Sequence, residues 1–238
     1  MKQIFKILLD FLLPPTCPVC HKRVAENLTI CSKCFAQLEF IGNRKCSVCG
    51  KPLDVIVPGM AVCGECLKKA PHFRHAEAVF KYNDISKKLI LAFKHSDHIE
   101  LTRLMTKWMS QACGNVIENN QILIPVPLHW SRLFKRKYNQ SALLAQELAK
   151  QYHKVYNPLI LLRNKYTKSQ GHLSQKERQK NVTGVFEVKR SQLIKGKSIL
   201  LIDDVFTTGA TANECARVLL KAGAKSVDVL TFARVVRE

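Results

Sequence analysis

The chain has 238 residues, of which 47% are hydrophobic and 24% charged, and this composition is typical of a globular protein. It excludes a disordered, collagen-like or coiled-coil chain, and the length allows one good-sized domain with a small appendage. No apolar run reaches the roughly 18 residues that span a bilayer, so we predict no transmembrane segment. Lysine and arginine exceed the acids by 38 − 18 = 20, which predicts an anionic partner and salt-dependent association with it.

The first segment, residues 1–13, has apolar side chains at helical spacing and predicts a short amphipathic helix. We expect this helix to pack against the body of the protein. A helix lying in a membrane interface is the alternative, although the segment is poor in cations. The segment lacks the small-residue cleavage site of a signal peptide, and with the paired cysteines that follow this favours a reducing, cytoplasmic setting.

Eight of the ten cysteines follow as four Cys-x-x-Cys pairs. Such pairs are typical of tetrahedral Zn²⁺ sites, and the segment is too poor in apolar periodicity to fold without metal. Sequential pairing gives two sets of four: Cys17, Cys20, Cys31 and Cys34, then Cys46, Cys49, Cys63 and Cys66. A cross-braced pairing would use the same ligands. Because protein fills all four positions around each metal, we expect one or two structural zinc ions; an iron–sulfur cluster or a redox dithiol is the competing interpretation.

From Ala76 onward, the sequence predicts alternating strands and helices. The predicted strands are Ala78–Tyr82, Ile122–Pro127, Leu159–Leu162, Val185–Val188, Ser198–Asp203 and Val227–Val235. The predicted helices are Ser86–Phe93, Leu101–Ala112, Gln140–Tyr152 and Thr211–Ala222. This alternation predicts an α/β fold in which a mostly parallel, twisted sheet carries flanking helices. Ligands of such sheets bind beyond the carboxyl ends of the strands.

The segment from residue 131 to 181 is strongly basic, with twelve cations and two acids, and therefore carries half of the net charge. Aromatic residues lie within it or directly before it: Trp130, Phe134, Tyr138, Tyr152 and Tyr166. Because single-stranded DNA binds basic grooves in which aromatic rings stack on the bases, the segment predicts a nucleic-acid-binding surface. The predicted contacts are Arg132, Lys135, Arg136, Lys137 and Tyr138. A solvated basic surface without a specific ligand, with most of the aromatic rings in the core, is the alternative.

The stretch from Ser198 to Thr211 carries the most specific signal in the chain. An apolar strand leads into two adjacent carboxylates, Asp203 and Asp204, and a loop then opens a helix. The loop residues are Thr207, Thr208, Gly209, Ala210 and Thr211. Backbone N–H groups, a helix N-terminus and threonine hydroxyls together bind phosphate. The acids would repel that phosphate and suit a sugar diol or Mg²⁺ instead, so the stretch predicts a site for a phosphorylated ribose.

This stretch resembles the phosphoribosyl-pyrophosphate (PRPP) signature of type I phosphoribosyltransferases. The resemblance implies that Asp203 and Asp204 are catalytic carboxylates that hold the ribose 2′- and 3′-hydroxyls. It also implies that residues 207–211 bind the 5′-phosphate and that Mg²⁺ accompanies PRPP. Purine-salvage members have an aspartate at the position of Thr207, so the threonine argues against a purine acceptor. Some members of the fold bind PRPP without turnover, and the sequence does not identify an acceptor.

The chain as a whole resembles the ComF family of competence-associated proteins. The eight-cysteine double zinc ribbon, the Pro125-Val-Pro-Leu-His129 motif and the Arg136-Lys-Tyr-Asn-Gln140 motif carry this resemblance. It implies a helix and zinc ribbon over residues 1–70 and a phosphoribosyltransferase-like domain over residues 71–238. The implied function is the handling of incoming single-stranded DNA in the cytoplasm during natural transformation, beside competence proteins such as a helicase. Transfer of ribose 5-phosphate to an unidentified small-molecule acceptor in nucleotide metabolism is the alternative.

The same resemblance assigns the remaining site residues. It implies that Arg132 contacts the pyrophosphate, with Lys135 and Arg136 as further contacts. The loop over residues 165–181 would close over the site and exclude water. The family usually has glycine where this chain has Lys137, which adds a cation at a position where the backbone conformation matters.

Overall fold

The computed structural model describes residues 14–53, 61–95, 99–165 and 175–236. The helix predicted for residues 1–13 and most of the predicted closing loop lie outside these ranges. The described helices are α1 (Ser32–Phe35), α2 (Gly64–Lys68), α3 (Asp84–His95), α4 (Leu101–Glu118), α5 (Trp130–Arg136), α6 (Gln140–Gln151), α7 (Gln175–Val182) and α8 (Ala210–Lys221). The strands are β1 (Ala76–Lys81), β2 (Ile122–Pro125), β3 (Val155–Tyr156), β4 (Leu161–Arg163), β5 (Phe186–Val188), β6 (Ser198–Phe206) and β7 (Ser226–Arg234). None of the described helices has the length and hydrophobicity needed to cross a membrane.

Five strands form one parallel sheet in the order β1-β7-β6-β2-β3, which confirms the predicted fold class. Alternate side chains of β6 enter two cores, one on each face of the sheet. Leu200 and Ile202 pack in the core that α3, α4 and α6 cover, while Ile199 and Leu201 pack in the core that α8 covers. Strands β4 and β5 form a separate antiparallel pair.

The cysteine-rich segment contacts the sheet from both faces at its β1 edge. Cys17 and Cys34 are buried in the core beside α3 and α4, whereas Cys46 and Cys49 are buried in the core beside α8. The backbone fit at the edge is close: a Cβ atom added at Gly50 would lie 2.4 Å from the carbonyl oxygen of Ala76. The segment is therefore built into the same packed body as the sheet.

The observed strands and helices extend beyond several predicted ends. Strand β6 continues past Asp203 to Phe206, because β7 pairs with it as far as Arg234. Helix α8 begins at Ala210, so the predicted five-residue loop is shorter and its last two residues form the first helical turn. The sequence predicted neither the two-residue strand β3 nor helix α5.

The sequence did not predict helix α5 because its seven residues are too few for a helical period to be recognised. It begins after His129, whose Nδ1 accepts a hydrogen bond from the backbone N–H of Ser131 at 3.3 Å. It ends at Lys137, which has φ 67° and ψ −24° in the left-handed region that favours glycine. Lysine at this position thus adopts the conformation for which the resembling family usually supplies glycine.

Candidate functional site

A cleft of about 210 Å³ opens at the carboxyl ends of β2, β6 and β7. Strand β6 supplies two acids, the following turn supplies threonines and a glycine, and three surrounding segments supply four cations. The polar and glycine residues that line the cleft are Lys94, Arg132, Arg136, Gln140, Ser141, Arg163, Asp203, Asp204, Thr207, Gly209, Thr211 and Thr231. The cleft therefore holds carboxylates, a helix N-terminus and cations together, at the edge of the sheet where the sequence predicted a ligand.

The two acids have different surroundings. The Asp203 Oδ1 atom accepts hydrogen bonds from the Ser141 hydroxyl and from the backbone N–H of Asp204, both at 2.9 Å. Burial, and then the negative charge of Asp204, raises the pKa of Asp203 to about 7. The Asp204 carboxylate pairs with the Lys94 ammonium at 2.5 Å. At neutral pH the Asp203 carboxyl is therefore only partly ionised, and Lys94 lies beside its neighbour Asp204.

The turn after β6 is shaped by a contact between Gly209 and Phe206. Gly209 has φ 75° at the N-cap of α8, and a Cβ atom there would lie 2.6 Å from Cζ of Phe206. Only glycine fits this position, because its neighbour is a packed aromatic ring and its φ is positive. Thr207, Gly209 and Thr211 line the cleft, whereas Thr208 and Ala210 line a neighbouring cavity of about 400 Å³.

The basic residues of the sequence prediction separate into two groups. Arg132 and Arg136 line the cleft, and the cleft also receives Lys94 from α3 and Arg163 from β4, which the prediction did not name as site residues. Lys137 is exposed and does not line the cleft. Lys135 belongs to α5, but its side chain lies outside the described part of the structure.

Tyr138 has a structural contact that the sequence prediction did not anticipate. Its hydroxyl donates a hydrogen bond to the backbone carbonyl of Phe93 at 2.7 Å, and the two rings lie 6.4 Å apart. Next to it, the Asn139 amide donates to the carbonyl of Val126, and the Gln140 amide donates to the carbonyl of Lys94. This segment therefore holds the end of α3, and with it Lys94, against the loop after β2.

The eight paired cysteines form two separate tetrads that follow the sequential pairing. In each tetrad, the sulfur atoms all lie within 4.8 Å of one another. The Cys20 and Cys31 sulfurs are 3.6 Å apart, and the Cys49 and Cys63 sulfurs are 3.7 Å apart. These separations match the edge of about 3.8 Å expected for a tetrahedron with Zn–S bonds of about 2.3 Å.

The protonation of the thiols also fits a bound cation. Burial tends to raise the pKa of Cys46, but N–H groups of Cys49 and Cys63 point at its sulfur and lower the pKa to about 7. In the first tetrad, backbone hydrogen bonds lower the pKa of Cys17 to about 7 in the same way. Burial, and then contacts with the other thiols of the tetrad, raise the pKa of Cys34 to about 12, so the four thiols cannot all ionise there without a counter-ion. A divalent metal would remove this conflict in both tetrads.

Two family models match separate parts of the chain. The double zinc ribbon domain matches residues 8–67, which contain both tetrads, and the phosphoribosyl transferase domain matches residues 139–236, which contain Asp203, Asp204 and Gly209. Fold and site thus define a protein in which a double zinc ribbon precedes a phosphoribosyltransferase domain.

Three known proteins are similar to nearly the whole chain. Competence protein F of Haemophilus influenzae is 30% identical over 217 residues, covering 89% of this chain and 92% of the relative. Competence protein ComFC of Bacillus subtilis is 30% identical over 240 residues, covering 92% and 94%. DNA utilization protein YhgH of Escherichia coli is 28% identical over 228 residues, covering 93% and 98%. The chain belongs to the family of competence protein F and ComFC.

Proposed function

We propose that the cleft binds PRPP together with Mg²⁺ and that the protein acts on single-stranded DNA during DNA uptake in the cytoplasm. One observation carries the proposal: two carboxylates, a glycine-opened helix N-terminus and four cations share one cleft of about 210 Å³. This set complements a ribose diol, a 5′-phosphate and a pyrophosphate. The names of the relatives, which refer to competence and DNA utilization, support the DNA part.

Each part of PRPP has a complementary group in the cleft. Asp203 and Asp204 would accept hydrogen bonds from the ribose hydroxyls, and the N–H groups at the start of α8 would bind the 5′-phosphate. Arg132 and Arg136 would bind the pyrophosphate as bidentate donors. Mg²⁺ supplies further charge neutralisation of the pyrophosphate when it arrives with the substrate. We also propose that each cysteine tetrad holds one structural zinc ion.

The DNA surface is best placed on the outer face of α5. Residues two positions apart on a helix point in nearly opposite directions, whereas residues four apart share a face. Arg132 and Arg136 line the cleft, and Trp130 and Phe134 on the other face are 72% and 88% exposed. Two exposed aromatic rings in a strongly basic segment suit the stacking of unpaired bases. We therefore propose these two rings as the stacking contacts for such a strand, since the Tyr138 hydroxyl is bonded to the end of α3.

Titration calorimetry tests the PRPP site. We expect the wild-type protein to bind PRPP in the presence of Mg²⁺. The double variant Asp203→Asn with Asp204→Asn, which removes both charges but keeps the side-chain shapes, should lose roughly 100-fold or more in affinity. An exposed-acid variant, Glu118→Gln, is the control. Binding by the double variant as tight as that of the wild type would refute the assignment of these acids.

A gel shift with labelled single-stranded oligonucleotides at two salt concentrations tests the DNA part. Binding should weaken at the higher salt, because phosphate contacts release counter-ions. Trp130→Ala with Phe134→Ala should weaken binding about tenfold or more, since each stacked base contributes about 1–3 kcal/mol. The half-exposed Leu133→Ala on the same helix is the matched control. Equal shifts for all three proteins would remove α5 from the DNA surface.

The alternative function is transfer of ribose 5-phosphate from PRPP to a small-molecule acceptor. The neighbouring cavity of about 400 Å³ favours it, because this cavity shares Phe206 and Gly209 with the cleft and offers space for a second substrate. Pyrophosphate release measured against a panel of acceptors tests this function. Release that depends on one acceptor supports it, and PRPP binding without release for any acceptor supports a binding role instead.

A further inference from the structure

The second cysteine tetrad lies next to the phosphate-binding turn, and one buried side chain connects the two. Arg234, the last residue of β7, is 6% exposed. Its guanidinium donates to the carbonyl oxygen of Cys49 at 2.5 Å and approaches the Cys49 sulfur at 3.6 Å. The same guanidinium lies over the ring of Phe206, 4.5 Å from the ring centroid. Arg234 is therefore packed between a metal ligand and the ring that supports Gly209.

Phe206 contacts both Arg234 and the turn. Its ring lies directly against Gly209, with no room for even a Cβ atom between them. Its carbonyl accepts a hydrogen bond from the N–H of Val235 at 2.9 Å, and the ring of Phe73 packs against its edge at 5.9 Å. The position of the Phe206 ring thus sets the position of Gly209, where the N–H groups of α8 begin.

The surroundings of Phe206 leave it free to move if Arg234 no longer holds it. The cavity of about 400 Å³ is lined by Cys49, Phe206, Gly209 and Arg234, so space for an alternative ring position lies beside the turn. A close-packed site would keep the ring in place without help. Here the Arg234 guanidinium, which is hydrogen-bonded to Cys49, holds the ring in place.

Among the residues that the structure describes, no side chain joins the first tetrad to the turn in this way. Its buried members, Cys17 and Cys34, pack in the core of the opposite face beside α3 and α4. No residue of the first tetrad lines the cleft or the neighbouring cavity. The two tetrads therefore provide a matched pair, with similar chemistry and different neighbours.

We propose that Arg234 is a positioning residue that couples the second cysteine tetrad to the phosphate-binding turn through Phe206. PRPP affinity then depends on an intact second tetrad and not on the first. The affinity measurement rests on the proposed PRPP binding. The coupling between Arg234 and the turn can also be measured without PRPP.

The direct test replaces Arg234 with methionine, which keeps the bulk and removes the charge and the hydrogen bonds. We expect PRPP affinity by calorimetry to fall about tenfold, since small displacements of a binding group have effects of this order or larger. Arg234→Lys, which keeps a cation near the ring, should recover part of the affinity. Arg74→Met is the control: it also removes an arginine ion pair to β7, with Asp228, but at the other end of the strand. Unchanged affinity in Arg234→Met would overturn the proposal.

Hydrogen exchange at the amides of Gly209, Ala210 and Thr211 provides a readout that does not need PRPP. We expect faster exchange there in Arg234→Met than in the wild type, and no change in Arg74→Met. If the wild type binds no PRPP, the proposed function fails while this measurement still decides the coupling. Unchanged exchange at these amides would refute it.

The tetrad dependence is tested with Cys63→Ser and Cys31→Ser, which remove one ligand from the second and the first tetrad. Zinc content, measured on each purified protein, shows whether each variant has lost metal from one tetrad. Cys63→Ser should then weaken PRPP binding about tenfold and Cys31→Ser should leave it within about twofold of the wild type. An equal loss in both variants would show a general effect of metal removal and would contradict the assignment to Arg234.

Discussion

The cysteine-rich segment and the parallel sheet are stabilised in different ways. In the sheet, β6 and β7 are covered on both faces, and side chains such as Phe80 and Phe232 are fully buried. The cysteine-rich segment has short helices α1 and α2 and few buried apolar side chains, and its thiols are grouped as tetrads. Burial of apolar surface thus stabilises the sheet, whereas the proposed metal ligation would stabilise the segment. Removal of metal should therefore affect the segment more than the sheet, and loss of apolar packing should affect the sheet more than the segment.

Removal of zinc should produce the largest difference in stability between the two regions. A structural zinc site contributes an apparent binding free energy of about 10–16 kcal/mol at neutral pH. A strong chelator should therefore unfold residues 14–53 and 61–68, while β6 and β7 remain protected. Hydrogen exchange followed by mass spectrometry measures both regions in one sample. Simultaneous loss of protection in the sheet would show that the two regions are one cooperative unit.

Truncation of a sheet residue should have the opposite selectivity. Phe232 packs against Phe80 and Trp108, with ring centroids 5.1 and 6.1 Å apart. Phe232→Ala should lower the free energy of unfolding by about 3–5 kcal/mol, because it leaves a cavity in the core. Urea unfolding measures this loss, and the zinc content of the folded variant should equal that of the wild type. Leu91→Ala, at an exposed position of α3, should change stability by less than about 1 kcal/mol.

The carboxyl pair should make the stability of the sheet depend on pH. Burial and Asp204 raise the pKa of Asp203 from 3.8 to about 7, so ionisation of Asp203 costs free energy in the folded state. This cost is absent below pH 3.8, grows as the pH rises and is complete above about pH 7. Asp203→Asn removes it and should stabilise the ligand-free protein by about 2 kcal/mol at pH 8.

Urea unfolding of Asp203→Asn and the wild type at pH 8 and pH 6 checks the direction of this pH dependence. The gain in the free energy of unfolding should be clearly smaller at pH 6, where more of the wild-type Asp203 carboxyl is protonated. Glu118→Gln, at an exposed helix end, should show no such difference. A gain of the same size at both pH values would mean that the asparagine acts through packing instead of charge.

The smallest expected effect concerns Lys137. This residue has φ 67°, and non-glycine residues are disfavoured in the left-handed region. Lys137→Gly should therefore stabilise the protein by about 1 kcal/mol. The thermal midpoint of the sheet should rise slightly, with the chelator sensitivity of the cysteine-rich segment unchanged. A lower midpoint would indicate that the lysine side chain contributes more than its backbone conformation costs.

Local patterns in the sequence predicted the features that depend on neighbouring residues. The spacing of the cysteines indicated two sets of four, and the structure groups them sequentially because each ten- or thirteen-residue loop brings its own pairs together. The apolar strand before Asp203 and Asp204 placed the acids at the edge of the sheet. The PRPP, Mg²⁺ and DNA roles of these residues remain predictions that the experiments above test.

Features that depend on distant residues could not be predicted in this way. Lys94 reaches Asp204 only because α3 is held by Tyr138 and Gln140, and Arg163 reaches the cleft from β4. Arg234 is an isolated arginine at the end of a strand in the sequence, and nothing local indicates its contact with Cys49.

Helix α5 carries side chains both in the cleft and on the outer surface of the protein. Its seven residues turn two guanidinium groups inward and two aromatic rings outward on less than two helical turns. Because both sets of side chains lie on the same short helix, an anion bound by the arginines and a base stacked on the rings would contact opposite faces of one element. If the proposed PRPP and DNA sites both exist, α5 is the element that they share.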